Sequence, residues 1–345
     1  MTLSLALEAR DLAQLPSRRD EDWRWTDLRG LIRELPAPSP EAKANPAGPF
    51  DGHGDAELLV VNGRLQGDAG LLSLAEGEQR VLRLRLVSAS QGTAHAVRLD
   101  VKLGVGADLT LLETHEGQAG GYLADSHLAI ALSAGARMER IVLANDEAEA
   151  ISVNTAEVHL AAGAEFRQTI LTHGARRQRL ETRVEHPGQG AQVRMDGAYL
   201  VSGRRHADIT TAVTHGGTDG VTEQLIKGVV ADQGRGVFQG RITVSPRADR
   251  TDARMGHHAL LLSDRAEVNA KPELLIFADD VACAHGATVG ALDEDALFYA
   301  QQRGMPEAVA KALLTEAFIG EVIDRIEHDG AREIARAWAA DRRVG

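Results

Sequence analysis

A Gly-Ala pair recurs at nearly constant spacing through the middle of this chain and limits the folds that the chain can adopt. The pairs lie at 106–107, 135–136, 163–164 and 190–191, so their first glycines are 29, 28 and 27 residues apart. A Gly-Gly pair at 216–217 lies where the next member of the series is expected. A steady period of this length is typical of solenoids, in which each repeat packs against its two neighbours.

The segments between these pairs favour strands. Units such as "VRLDVKLGVGADLTLLETHEG" consist of an alternating apolar stretch, a small-residue turn and a second alternating stretch. Glycine suits a sharp turn because it tolerates positive φ, and the adjacent alanine leaves room for the next coil. We therefore predict a mainly β chain with a β-solenoid body. One period is either one large coil or two small ones, and a β-sandwich of similar hairpins is the alternative fold.

Residues 1–55 are predicted to form an N-terminal helical arm and a proline-rich linker. "LSLALEARDLAQL" places Leu5, Leu12 and Leu15 near helical spacing. The stretch 36–49 holds five of the ten prolines, which predicts an extended and loosely packed linker.

Two short motifs lie on either side of that linker. Trp23 and Trp25 flank Arg24 in a charged segment, and they either dock the arm onto the body or contact a partner. Asn62-Gly63 interrupts an apolar run and predicts a hairpin at the start of the β body.

The strand pattern spans 56–290, and a helical region is predicted for 291–345. Asp293 is a plausible N-cap for the first helix, and Pro306 suits the first position of the second. An apolar stripe with a step of four residues follows, made of Leu314, Phe318, Val322 and Ile326.

Composition excludes several classes of function. The chain has 50 acidic and 38 basic residues, for a net charge of −12, and no long basic run, which argues against nucleic acid as a partner. No stretch reaches the roughly 18 apolar residues that cross a membrane. The first residues lack the pattern of a signal peptide, and a single cysteine allows no internal disulfide, so we expect a cytoplasmic protein. No P-loop, HExxH, CxxC or GxSxG motif indicates an enzyme.

The single cysteine lies in "DDVACAHGATVG", residues 279–290. Cys283 and His285 are two apart, which places them on one face of an extended strand. Thiolate and imidazole suit zinc, iron or an iron–sulfur unit, but two ligands leave such a site incomplete. A catalytic thiolate is one alternative, although Asp279 and Asp280 would oppose its deprotonation. A buried, inert thiol is the other.

A histidine pair offers one further candidate ligand. His257 and His258 are adjacent, so in a strand their side chains point to opposite faces and cannot easily bind one metal together. We take His257 as the candidate third metal ligand, with neutral surface variation as the alternative reading of the pair.

Three stretches resemble the SufB/SufD family of iron–sulfur cluster assembly proteins. They are "RRDEDWRWTDL", "LLVVNGRL" and "KPELLIFADDVACAHGATVGALDEDALFYAQQRGM". SufB members typically carry His-Glu-Ala-Thr where this chain has His-Gly-Ala-Thr at 285–288. That motif and the short chain point to the SufD branch of the family.

The resemblance implies a right-handed parallel β-helix flanked by N-terminal and C-terminal helical segments, and a scaffold role in the SUF machinery without enzymatic activity. It implies a SufB-like partner at the end of the β-helix and a SufC-like ABC ATPase at the C-terminal helices. A transient iron–sulfur cluster would form at the SufB interface next to His285 and Cys283, with no cofactor bound stably by this chain alone. The expected partner contacts are Asp293, Leu297, Phe298, Tyr299 and Phe318.

Two other functions remain open at this point. A carbohydrate-active β-helix enzyme would need convergent carboxylates, and no acidic pair stands out within the repeats. A homodimeric structural module would use the same end of the solenoid to pair with a second copy of the chain.

Overall fold

The computed structural model describes residues 2–342, which contain eighteen strands and four α-helices. The strands are β1 (Ala56–Val61), β2 (Arg64–Gln66), β3 (Ser73–Leu74), β4 (Gln79–Ser88), β5 (Ala94–Leu103), β6 (Asp108–Gly117), β7 (Leu123–Leu132), β8 (Arg137–Asn145), β9 (Ile151–Leu160), β10 (Glu165–Thr172), β11 (Arg177–His186), β12 (Gln192–Val201), β13 (His206–His215), β14 (Val221–Val230), β15 (Arg235–Val244), β16 (Thr251–Leu261), β17 (Glu267–Ile276) and β18 (Val281–Ala291). The helices are α1 (Leu3–Ala9), α2 (Glu294–Gln302), α3 (Glu307–Ile323) and α4 (Asp329–Asp341).

Successive strands from β3 onward alternate between two sheets and pair in parallel within each. The ten-stranded sheet has the order β18-β16-β14-β12-β10-β8-β6-β4-β1-β2, and the eight-stranded sheet has the order β17-β15-β13-β11-β9-β7-β5-β3. One sequence period is therefore one coil that contributes a strand to each sheet. The predicted β-solenoid is confirmed, and the β-sandwich of hairpins is wrong because the strands of each sheet run parallel.

The recurring turn behaves as the glycines predict. Gly106, Gly135, Gly163 and Gly190 all have φ between 63° and 69°, and the alanine after each is fully buried. The expected fifth member at 216–217 is wrong. The equivalent left-handed position is Asp219, which has a φ of 60°. This equivalence follows from the hydrogen bond that Gly190 N–H donates to the carbonyl of Thr218, the residue before Asp219.

The next left-handed position explains how a non-glycine residue fits there. Arg250, with φ of 59°, follows Asp219 one coil later, and its Nε and Nη2 donate to the Asp219 carboxylate at 2.6 and 2.8 Å. Aspartate is among the residues that tolerate this conformation best. A bidentate ion pair on neighbouring coils thus accompanies the change from glycine.

Alternation along the strands fills the space between the two sheets with apolar side chains. The main core holds residues from nearly every coil, among them Leu84, Leu111, Val142, Ile170 and Ile226. Burial of this continuous core stabilises each coil through its neighbours.

The N-terminal arm covers the outer face of the eight-stranded sheet. Its helix is shorter than predicted, because Arg10 adopts a left-handed φ of 54° and ends α1. Leu3 and Ala6, rather than Leu5, face the body, and Leu5 is 47% exposed. Trp23 docks the arm, since the Arg179 guanidinium lies 4.4 Å from its ring centroid.

The proline-rich linker is mostly exposed, with nine of residues 36–49 exposed and only Ser39 buried, and a few contacts hold it to the body. Arg85 is buried in the body and its Nη2 donates to the Asn45 carbonyl at 3.0 Å. Ser39 N–H donates to the Ala94 carbonyl, and Phe50 is buried beneath the C-terminal helices. Extended backbone suits this role, because its carbonyls stay free to accept from the body.

The C-terminal helices cover the outer face of the ten-stranded sheet. Ile319, Val322 and Ile326 pack with α4 residues such as Trp338 against the outward side chains of that sheet, for example Leu200. None of the helices within residues 2–342 has both the length and the apolar character required to cross a bilayer.

The two ends of the solenoid differ. At the first end, Asn62 and Gly63 form the predicted hairpin, with φ of 49° and 76°, and fold the short strand β2 against β1. The eight-stranded sheet likewise begins with the two-residue strand β3. Short edge strands of this kind blunt the edge of a sheet.

Candidate functional site at the open end of the solenoid

The second end of the solenoid is open. β17 and β18 are the last strands of their sheets, and among the described residues no strand pairs with their outer edges. Every residue of β18 is half-buried or exposed, whereas most residues of the inner strands are buried. An exposed edge leaves a row of backbone N–H and C=O groups free to pair with another chain.

Cys283 and His285 lie on this edge strand and face the solenoid interior. In the ladder with β16, Cys283 lies opposite Ala253 and His285 opposite Met255. Ala253 and Met255 are buried in the core, so the two side chains continue the same interior face to the open end. Cys283 is half-buried against the core, and His285 is exposed.

The environment of Cys283 favours the neutral thiol. Partial burial raises the pKa of this thiol, and the Asp252 carboxylate raises it further. Asp252, rather than Asp279 or Asp280, is thus the acidic residue that acts on the thiol. A raised pKa argues against an activated nucleophile, because the thiolate is the reactive form.

His257 lies one coil deeper than the pair. Its side chain is fully buried, Nε2 lies 2.8 Å from Tyr199 Oη, and its ring stacks on Phe238 with centroids 5.0 Å apart. Burial lowers the pKa of His257 to about 4. His258 faces the opposite side, where Nδ1 lies 2.8 Å from Thr288 Oγ1, so the two rings separate as the strand geometry predicts.

The open edge therefore presents two potential metal-ligand side chains of its own, Cys283 and His285. Within residues 2–342 no group of three or more His, Cys, Asp or Glu side chains is placed to hold a metal ion. Cys283 and His285 alone cannot complete a tetrahedral site. Additional ligands must come from another molecule if this end is to bind a metal or a cluster.

Several exposed apolar side chains lie on the last coil, in and after β17 and in β18, and were missed from the sequence. Leu275, Ile276 and Val289 are each more than 40% exposed, and Phe277 is 62% exposed. The signal was the unbroken apolar run "LLIF" at 274–277, which lacks the alternation of the other strands of its sheet. Exposed apolar side chains along an uncovered strand edge favour association with another molecule.

The predicted partner contacts of the C-terminal region fall into two groups. Phe298 and Tyr299 on α2 are 62% and 60% exposed, and Asp293 caps that helix by accepting from the N–H groups of Asp295 and Ala296. Leu297 is half-buried on the same helix.

Phe318 lies elsewhere, on the side of α3 that faces the ten-stranded sheet. It is half-buried, and the Lys227 ammonium lies 4.4 Å from its ring centroid. Its contacts are with the body of the solenoid, whereas the exposed apolar residues of α3 are Val309 and Leu313.

Comparison with known proteins agrees with this geometry. Residues 86–318 match the family model of the SufBD core domain of the SUF system for iron–sulfur cluster assembly. The chain is 27% identical to the iron–sulfur cluster assembly protein SufD of Escherichia coli, over 96% of this chain and 90% of that protein. It is also 27% identical to the chloroplastic protein ABCI7 of Arabidopsis thaliana, over 86% of this chain and 66% of that protein. The chain therefore belongs to the SufBD family of SUF iron–sulfur cluster assembly proteins.

Proposed function

We propose that this chain is a non-enzymatic scaffold subunit that pairs through its open solenoid end with a SufB-like subunit. The observation that carries the proposal is the asymmetry of the solenoid, because one end is blunted by short strands and the other leaves two long edges uncovered. Edges of this length are normally covered or paired in stable proteins. The cytoplasm is the compartment that we propose for it.

The same end supplies the partial ligand set. His285 and Cys283 face the plane at which a second solenoid would continue the coils. A transient iron–sulfur cluster forms at this junction as cargo, with further ligands from the SufB-like subunit. His285 is the more accessible ligand candidate of the two, since it is exposed and Cys283 is half-buried.

The C-terminal helices dock a SufC-like ABC ATPase. Phe298 and Tyr299 support this assignment, because two neighbouring exposed aromatic side chains are typical anchors of protein interfaces. His285 is exposed in the isolated chain and is covered when the SufB-like subunit pairs with this end. Nucleotide-driven movement of the ATPase then acts on residues 293–345 and exposes His285 again to incoming iron or sulfur.

A sizing experiment tests the pairing. The purified chain is measured by light scattering alone, with a SufB-like subunit, and with that subunit and a SufC-like ATPase. We expect a heterodimer and then a ternary complex. A homodimer that persists when the SufB-like subunit is added would instead support the homodimeric module, since the same free edges can pair with a second copy.

A further inference from the structure

A trough of about 800 Å³ lies across the stacked turns that lead into the eight-stranded sheet and extends as far as the start of β17 in the last coil. Leu31 of the N-terminal arm forms part of its wall. Six arginines and three carboxylates line it: Arg176, Arg177, Arg204, Arg205, Arg235 and Arg265, with Glu149, Asp264 and Glu267. The protein as a whole is acidic, so this concentration of positive charge is local.

The solenoid repeat brings these arginines together. They come from the turns before or the first residues of β11, β13, β15 and β17, which are successive strands of one sheet. In that ladder His206 lies opposite Arg235, and Arg235 lies opposite Glu267. Neighbouring strands are about 4.8 Å apart, so guanidinium groups far apart in sequence line one continuous wall.

Four of the six arginines form no direct ion pair within residues 2–342. Among the described residues, Arg176, Arg177, Arg204 and Arg265 have no hydrogen bond or ion pair, and the Arg177 Nε is buried without an acceptor. Arg205 differs, since its Nη1 donates to the carbonyls of Asp146 and Gly174.

Arg235 is the other arginine with a partner. Its Nη2 lies 3.3 Å from Glu267 Oε1, in a pair whose two side chains are both more than half exposed. Such a pair contributes little and is weakened by salt. By count, the three carboxylates that line the trough offset half of the charge of its six arginines.

This charge is unfavourable without a counter-ion. Burial lowers the pKa of Arg177, and the nearby guanidinium groups of Arg235 and Arg176 lower it further. The Asp27 and Asp208 carboxylates act against this shift of the pKa without cancelling it. A concave surface of one charge sign focuses the field and concentrates ions of the opposite sign. The folded chain thus maintains a site that an anion would stabilise.

We propose that this arginine trough binds a small ligand that carries two or more phosphate groups. The planar guanidinium donates paired hydrogen bonds that match phosphate oxygens, and several of them on adjacent coils can contact successive phosphates. The volume lies within the range of about 300–1,000 Å³ usual for small-molecule sites. The trough reaches the last coil on the eight-stranded sheet, whereas Cys283 and His285 lie on the ten-stranded sheet, and the inference does not depend on the proposed pairing.

Titration calorimetry on the full chain with sodium tripolyphosphate tests the assignment, with citrate as an anion of similar charge that lacks phosphate. We expect tripolyphosphate to bind at least about tenfold more tightly than citrate and to raise the melting temperature. The double variant R176S/R204S should weaken binding about tenfold or more, because charge-assisted hydrogen bonds are lost. R265S should weaken it as a separate, single change in the same trough.

The matched control is R98S/R254S, which removes two arginines elsewhere whose side chains are 67% and 72% exposed. It changes the net charge equally and should leave the affinity within about twofold. Equal affinity in R176S/R204S and in this control would overturn the proposal. Absence of tripolyphosphate binding, or equally tight binding of citrate, would overturn it as well. If R176S/R204S melts at a lower temperature than the wild type, loss of binding in that variant is not separated from loss of stability. The affinity of R265S for tripolyphosphate then tests the proposal in its place.

Discussion

His285 lies directly opposite Met255 in the parallel ladder that joins β18 to β16. The same register continues inward from Met255 through Gln224 to Met195, so an exposed imidazole ends a column of buried interior side chains. A second solenoid stacked on this end would bring its own ligands to that column. The proposed cluster site requires that a second solenoid continue this column of side chains.

A charge placed on the open edge should block pairing. Val289 lies opposite the buried Ala259, and it is exposed only because no coil follows β18. We expect V289K to weaken association with a SufB-like subunit at least tenfold, about 1.4 kcal/mol, because a lysine would be buried without a partner. Biolayer interferometry gives the affinity. V105K, at an exposed coil turn, serves as the control, and equal binding by both variants would argue against the edge as the interface.

Removal of the exposed aromatic side chains of α2 should separate the two docking surfaces. In F298A/Y299A we expect binding of the SufC-like ATPase to fall by about 10–1,000-fold, the range for loss of an interface anchor. Binding of the SufB-like subunit should stay unchanged, because the open end is intact. Leu5 is also exposed, on α1, and L5A is the control. If L5A and the double variant bind the ATPase equally well, α2 is not its docking site.

The buried ion pair under the N-terminal arm should dominate the stability of that arm. Arg179 is fully buried, and its Nη1 donates to Asp208 at 2.9 Å and to the Asp22 carbonyl at 2.7 Å. We expect R179M to lower the free energy of unfolding by about 3–5 kcal/mol, because the buried Asp208 carboxylate loses its only cationic partner among the described residues. Urea denaturation measures this change.

The control for that variant lies on the same strand. Arg183 pairs with Glu181 through a side chain that is 50% exposed, and R183M should cost less than about 1 kcal/mol. Comparable losses in the two variants would mean that the ion pair does not fasten the arm. Limited proteolysis should in addition cut the arm faster in R179M than in R183M.

A buried histidine pair should make the chain sensitive to acid. His186 Nε2 lies 2.5 Å from His215 Nδ1, and burial lowers the pKa of these groups to about 4 and about 3. The unfolded chain takes up these protons near pH 6.5, so it binds more protons than the folded chain below that pH. The neutral pair therefore stabilises the fold fully above pH 6.5, and that contribution is lost as the pH falls toward 4.

The double variant H186Q/H215Q tests this dependence. We expect its free energy of unfolding to fall less steeply than that of the wild type between pH 6.5 and 4, as measured by urea denaturation at each pH. H159Q, at an exposed position, should keep the wild-type slope. Parallel curves for the wild type and the double variant would show that the pair does not titrate in this way.

The repeat was predictable because its cause is local. A left-handed turn favours glycine at one position in each coil, so the periodic Gly-Ala pairs were sufficient to predict the solenoid. The prediction failed where another residue can adopt that conformation, as Asp219 and Arg250 do. The helix of the arm was too long in the prediction because Arg10 ends it in a conformation that few non-glycine residues adopt.

The open end with His285 and the arginine trough were less predictable, because both depend on how successive coils stack on one another. The motif around His285 was visible in one stretch, but its exposure follows from the absence of a further coil. The arginine trough escaped a search for basic runs, since its members come from separate turns. Their signal was the repeat itself, because Arg176, Arg204, Arg235 and Arg265 recur at nearly the same spacing as the glycines.

Anaerobic reconstitution tests the central claim most directly. Wild type and H285A are each combined with a SufB-like subunit and a SufC-like ATPase, then supplied with iron and sulfide and followed by visible and Mössbauer spectroscopy. We predict that both chains form the ternary complex and that H285A loses most of the cluster signal. A complex of H285A that assembles as much cluster as the wild type would contradict the account.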